Sequence, residues 1–185
     1  MSTSKRLTSA DAVLEAAFEI LAEDPTASLA DIAERAGVGR ATLHRLFSGR
    51  DDLMHSLAQR AVREMDEAAE RACEGVESHA EALRLTLVAI IPLGDRYGFL
   101  LREPLDDDPK ISAEFERQLQ EIRDAVNGAK EEGVFDAAVP TEWIVQAYDH
   151  LVYAGWEIIR DGHATHEQAA NLAWRTLTKG LGAVQ

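Results

Sequence analysis

Apolar side chains recur at three- and four-residue spacing along the chain, and no stretch of β-branched residues alternates with polar ones between hairpin turns. That pattern predicts an all-α protein of about nine helices. Thr8 followed by Asp11 is a capping pair, and Leu14, Ala17, Phe18 and Leu21 share a face behind it. A first helix should therefore open near Thr8 and stop before Pro25. Ser28 and Asp31 repeat the start signal for a short helix whose inner face is Leu29, Ile32, Ala33 and Ala36, and Gly37 ends it. A third short helix runs from about Arg40 to Phe47 with Leu43, Leu46 and Phe47 inward. After Ser48-Gly49-Arg50 a fourth carries Leu53, Leu57, Ala61 and Met65.

Beyond Gly75 the pattern lengthens. A helix from about Glu77 to Ile91 must end or kink at Pro92 and Gly94. Asp106-Asp107-Asp108-Pro109 reads as an acidic helix start with Pro109 in the first helical position, followed by a stripe of Ile111, Phe115, Leu119, Ile122 and Val126 that fades between Gly128 and Gly133. Pro140-Thr141 opens a helix to about residue 161 that is apolar on most of its circumference, with Trp143, Ile144, Ala147, Tyr148, Leu151, Val152, Trp156, Ile158 and Ile159. So wide an apolar surface must be buried on more than one side. Thr165 with Gln168 forms a capping box for a last helix, about 165–182, bearing Ala169, Leu172, Ala173 and Leu177.

Composition narrows the class. With 185 residues, 46% hydrophobic and 6% aromatic, the chain is an ordinary globular one of one or two domains. Its single cysteine, Cys73, closes no intrachain disulfide, and Asp11, Glu15 and Glu19 interrupt the place where a secretory leader would need an apolar core. A cytoplasmic location is the expectation. The longest apolar run, residues 85–93, is too short to span a bilayer and holds Thr86 and Pro92.

The net charge of −14 speaks against nucleic acid until its distribution is considered. Residues 1–60 hold seven basic against nine acidic side chains, and the remaining residues hold 12 against 24. Between Ala36 and Arg50 there are Arg40, Arg45 and Arg50 and no acid at all. The acid-free stretch lies within SLADIAERAGVGRATLHRLFSGR, residues 28–50, where two short helices join through Ala36-Gly37-Val38-Gly39. This is the spacing of a helix-turn-helix: a glycine for the left-handed turn, a small Ala33 for close crossing, and Ile32, Val38 and Leu43 between the helices. Arg40, Thr42, His44 and Arg45 then face outward on a helix suited to a major groove.

The segment resembles the DNA-binding domain of the TetR family of transcriptional regulators, with the motif covering about residues 8–57, and the chain has that family's length and helix order. The resemblance implies a helix-turn-helix domain over residues 1–50, a connecting helix over 51–73, and a ligand-binding and dimerisation domain over 75–185. Ser28 matches the hydroxyl residue that opens the second helix and touches phosphate. Arg40, Ala41 and Thr42 match the start of the recognition helix, which contacts bases and phosphates. His44 stands where the family usually has a phosphate-binding tyrosine, and Arg50 where a lysine usually opens the fourth helix. Gly39 replaces a common serine cap, Leu46 a frequent histidine or tyrosine, and Ala41 a glycine. Arg40 and Thr42 are the candidates for base edges; Ser28, His44 and Arg50 are candidates for phosphates, and Arg45 suits either. Lys5 and Arg6 are candidates for an arm into the minor groove or a frayed terminus, with the frayed terminus favoured.

By the same resemblance the last two helices form an intersubunit four-helix bundle, giving a homodimer on a pseudo-palindromic operator. A pocket among the fifth to eighth helices could draw on Tyr97, Phe99, Phe115, Trp143, Tyr148, His150 and Trp156 for a small, largely apolar effector, and the acidic balance of this half hints at cationic compounds. No catalytic residue, metal ligand or cofactor is expected: GxSxG, Walker and HExxH motifs do not occur, and His163 and His166 flank a helix start. An enzyme using His150 with Asp149 or Tyr148 as acid and base is disfavoured, because neighbours on a helix point about 100° apart, so Asp149 does not easily orient His150. The rival to a ligand-responsive repressor is a helical small-molecule-binding or scaffold protein that has lost DNA binding.

Overall fold

The computed structural model describes residues 8–102 and 109–181. Helices follow one another as α1 (Ser9–Glu23), α2 (Leu29–Arg35), α3 (Arg40–Leu46), α4 (Arg50–Cys73), α5 (His79–Ile90), a 3-10 turn (Ile91–Leu93), α6 (Gly94–Arg102), α7 (Pro109–Glu131), α8 (Thr141–Arg160) and α9 (His166–Leu181). There is no strand among the described residues, as the periodicity predicts. Lys5, Arg6 and the triplet Asp106–Asp108 lie outside the described residues.

The helix starts are set by side chains the sequence made visible. The Thr8 hydroxyl accepts from the Asp11 N–H at 3.1 Å while the Asp11 carboxylate accepts from the Thr8 N–H at 3.2 Å. Ser28 and Asp31 do the same for α2, and Thr165 and Gln168 for α9. Each satisfies amides that a helix start leaves without partners. At α5 the expected start moves from Glu77 to Ser78, whose hydroxyl accepts from the Glu81 N–H. Glu132, at the end of α7, also accepts from the His79 and Ala80 N–H groups, and these backbone donors hold its carboxyl down at about 2. Gly128 lets α7 come this close, since a Cβ there would lie 2.3 Å from the His79 ring.

The first three helices enclose Val13, Ala17, Phe18, Leu21, Ile32, Leu43 and Phe47, and α4 closes this bundle with Leu53, Leu57 and Ala61. The same apolar cluster runs on without a break along α4 into α5, α7, α8 and α9. The two regions of the chain therefore share one core. Helix α6, which periodicity did not predict, joins them by packing on α1, α4 and α8. It buries Arg96, Tyr97, Phe99 and Leu100 while Leu101 is exposed, so burial does not follow the apolar positions that a sequence reading looks for.

A buried ion-pair network fills this junction. Arg96 of α6 donates to both oxygens of Glu15 on α1, at 2.6 and 2.7 Å, to Glu64 on α4 at 3.0 Å, and to its neighbour Asp95. Arg60 of α4 donates to Glu15 at 2.9 Å and Glu64 at 2.6 Å. Burial works against both charges, yet hydrogen bonds from Arg60 and Arg96 hold Glu64 below the ordinary carboxylate range, and the bonds Arg96 donates to Glu15 and Glu64, with the nearby negative charges, keep Arg96 firmly protonated. Arg96 also lies over the Phe18 ring at 4.6 Å, and Phe18 meets Phe99 edge-on at 5.7 Å.

Candidate DNA interface and effector cavity

Helices α2 and α3 are joined by a turn that only a left-handed residue closes well. Gly37 sits at φ 66°. Its N–H donates to the Glu34 carbonyl at 3.0 Å, and the Val38 N–H donates to the Ala33 carbonyl at 2.9 Å. This pair of bonds ends α2 and redirects the chain into α3 at once. Ile32, Ala33 and Leu43 are buried between the helices, as expected. Burial of Leu43 fixes the rotation of α3, which leaves Arg40, Ala41, His44 and Arg45 exposed and Thr42 half-buried. Arg40, His44 and Arg45 make no hydrogen bond or ion pair to another described residue. An unpaired cationic edge on a short helix suits a polyanion.

Two of the other candidate DNA contacts have intramolecular work. The Ser28 hydroxyl donates to Asp31 at 2.6 Å as part of the α2 cap. Arg50 donates to the Ala27 carbonyl at 2.5 Å and the Pro25 carbonyl at 3.1 Å, tying the α1–α2 loop to the start of α4. Its placement supports the bundle from behind.

In the other half, α4, α5, α6, α7 and α8 surround a cavity of about 340 Å³, a size within the usual range for small-molecule sites. Of the aromatic candidates, Tyr97 and Tyr148 line it; Phe99, Phe115, Trp143, His150 and Trp156 do not. Phe99 packs on Phe18 instead. Phe115 is half-buried elsewhere on α7. Trp143 is 63% exposed. His150 is exposed and donates to the Gln146 carbonyl from Nδ1. Trp156 is seated on Gly94, where a Cβ would come within 2.1 Å of it, and under the Arg160 guanidinium. Aromatic residues as a class pointed to the right helices but could not say which of their faces turn inward.

The rest of the wall comes from small and aliphatic side chains that the sequence did not single out for a ligand, Met65, Ala69 and Cys73 from α4, Ala82, Leu83, Thr86 and Ile90 from α5, Ile122 and Ala125 from α7, and Val152 from α8, and from the polar Asp66, Glu70, Gln118, Glu121 and Asp149. The Cys73 Sγ lies 3.4 Å from the Thr86 hydroxyl and 3.5 Å from the Ala82 carbonyl. Tyr148 donates to the Leu83 carbonyl at 2.9 Å. Burial, reinforced by the charge of Asp149, pushes both tyrosine phenols up, so they remain protonated donors. Asp149 itself faces the cavity, and burial raises its carboxyl to about 6 against the weaker opposing charges of His150 and Arg123.

The α8 and α9 helices pack on one another and still leave apolar surface open, with Trp143 63% and Leu172 46% exposed and Leu151, Ile158, Ile159 and Trp174 only partly covered. No helix among the described residues is long and apolar enough to cross a membrane.

Residues 13–57 match the family model for bacterial regulatory proteins of the tetR family. The chain is 36% identical over 172 residues to the HTH-type transcriptional repressor LfrR of Mycolicibacterium smegmatis, covering 92% of this chain and 88% of that one. A crystal structure of LfrR in complex with proflavine superposes with a TM-score of 0.77 at 32% identity, over 95% of this chain and 97% of that one. AibR, crystallised with isovaleryl coenzyme A and operator DNA, shares the fold at a TM-score of 0.76 and 17% identity, over 92% and 98% of the two chains. These relatives are regulators, not enzymes, and the helix-turn-helix and helix order of this chain agree with them. The chain belongs to the TetR family of ligand-responsive, DNA-binding transcriptional regulators.

Proposed function

We propose that this protein is a homodimeric repressor that grips a pseudo-palindromic operator with two copies of α3 and lets go when a small, largely apolar molecule fills the cavity. The unpaired cationic edge of α3, together with a cavity walled partly by the same helix that closes the DNA-binding bundle, carries this reading. Arg40 and Thr42 read base edges; Arg45 and His44 hold phosphates, with Ala41 leaving room for close approach. Ser28 and Arg50 contribute mainly by fixing the α2 start and the α1–α2 loop. The uncovered apolar faces of α8 and α9 pair with those of a second copy. Two-fold symmetry then sets the recognition helices about 34–36 Å apart, one turn of the duplex.

Release follows from shared elements. Helix α4 carries Leu53 and Leu57 in the DNA-binding bundle and Ala69 and Cys73 in the cavity wall. Helix α6 turns Tyr97 to the cavity and Arg96 and Phe99 to α1. A ligand that spreads α4 from α7 or displaces Tyr97 moves both attachments of the DNA-binding bundle, changing the spacing of the paired recognition helices. The proflavine bound by LfrR is a flat tricyclic molecule, and its size suits a cavity of this kind.

Selection of sites from random duplex DNA by the purified protein tests the reading. An enriched two-fold palindrome, bound with a steep salt dependence and weakened by Arg40→Ala, is the expected result. No enrichment from a folded dimer would leave a helical binding protein without DNA as the answer.

A further inference from the structure

If the cavity is the effector site, its charges specify the chemistry of the effector. Four carboxylates, Asp66, Glu70, Glu121 and Asp149, line it, and no lysine, arginine or histidine does so among the described residues. Three of the four already have a cation beside them or are screened by water. Arg117 pairs with Asp66 at 2.6 Å and with Glu121. Glu70 is solvent-exposed, where water screens it.

Asp149 differs from the other three. It is half-buried against apolar wall and makes no hydrogen bond or ion pair to another described residue. The nearest cations are engaged elsewhere or face away: Arg123 bonds Glu142 at 3.0 Å, and His150 is exposed and bonded to the Gln146 carbonyl. The remaining titratable neighbours, Tyr97 from α6, Cys73 from α4 and Tyr148 beside it on α8, carry no positive charge. A carboxylate left in this setting costs stability unless something cationic meets it. The two tyrosines add aromatic surface, which attracts cations further.

We infer that Asp149 is the counter-charge that makes the cavity select flat aromatic cations over neutral molecules of the same shape. The effector sets its ring system against Leu83, Ile90, Ile122 and Val152 and brings its positive charge to Asp149.

Calorimetric titration of the full-length protein, without DNA, tests this with proflavine as the aromatic cation and phenazine as a neutral tricycle. Ala125→Trp, which fills the cavity from α7, is included as a blocked control. Wild type is expected to bind proflavine more tightly than phenazine. Asp149→Asn should weaken proflavine at least about tenfold while leaving phenazine within about twofold, and Asp149→Glu should keep the preference for the cation. Asp149→Ala serves the same comparison should the asparagine variant fail to melt cooperatively. Equal losses for both probes, or unchanged proflavine affinity, with Ala125→Trp still abolishing binding, would overturn the counter-charge and leave the cavity as the effector site. Binding that survives Ala125→Trp, or no binding of either probe, would overturn the cavity assignment and this inference with it.

Discussion

The two ends of α4 stand in opposite chemical settings. At its start, Leu53 and Leu57 close a small bundle whose outer edge presents Arg40, His44 and Arg45 to solvent without partners. Toward its end, Ala69 and Cys73 wall a cavity in which Asp149 faces apolar surface without a partner. Unpaired charge in water costs little, so the DNA-reading edge can be stable while it waits for phosphate. Unpaired charge in an apolar wall is a standing cost that a ligand of opposite sign removes. One region is built to be steered to its partner from a distance, the other to discriminate at close range.

Removing the exposed charges should have the largest functional effect. Arg40→Ala with Arg45→Ala is expected to reduce operator affinity by at least about thirtyfold, from about 1–3 kcal/mol per lost contact. The melting temperature should stay near that of wild type, because neither side chain bonds to another described residue. Anisotropy titration and thermal melting together check this, and a large loss of stability would contradict the placement of α3.

Severing the junction should have the next largest effect, now on stability. Arg96→Ala leaves Asp95 without its partner and Glu15 and Glu64 sharing Arg60 alone, in a site where the Arg96 side chain is 10% exposed. A loss of about 2–3 kcal/mol is expected, discounted for the partial exposure of Glu15, and is measured by urea denaturation.

Asp149→Asn should act in the opposite sense. The carboxyl is raised in the folded state from 3.8 to about 6, so the folded protein holds this proton more tightly than the unfolded chain. Its contribution is complete below about pH 4 and is lost as the pH rises through 6. Wild type should therefore gain up to about 1 kcal/mol relative to Asp149→Asn as the pH falls from 7 to 5, less whatever solvent screening removes. Near neutral pH the asparagine variant should be the more stable protein and the weaker cation binder. The difference between their melting curves at several pH values isolates this group from the other titrating side chains.

The smallest effect lies at a helix start remote from both sites. Thr165→Ala removes the α9 cap and should cost about 1 kcal/mol in thermal unfolding without changing operator affinity.

The same contrast decides what was legible in the sequence. The helix-turn-helix is built from residues no more than about twenty apart, and its signals are local: Ser28 with Asp31, the left-handed Gly37, the buried Ile32, Ala33 and Leu43. Each has a direct consequence for the backbone, so spacing alone located them. The cavity joins Cys73, Thr86, Ile122 and Asp149 from four helices, and nothing in their separations brings them together. Aromatic content suggested seven candidates, of which Tyr97 and Tyr148 face inward. Trp156 and Phe99 instead serve contacts with Gly94 and Phe18 that depend on how α6 is laid down. Helix α6 was itself silent because it is short and buries the charged Arg96 while exposing Leu101, and with it the Arg96 network escaped notice. Asp149 was weighed as an orienting partner for His150; the two diverge along α8, one toward the cavity and the other toward solvent.

The central claim is that filling the cavity loosens the grip on DNA through α4 and α6. The direct test is operator affinity measured with and without saturating proflavine, in wild type and in Ala125→Trp, which corrects for dye bound to the DNA itself. Coupling predicts a weakening of about 5–150-fold in wild type and none in the blocked variant. Cavity-bound proflavine with operator affinity unchanged, or equal weakening in both proteins, would contradict it.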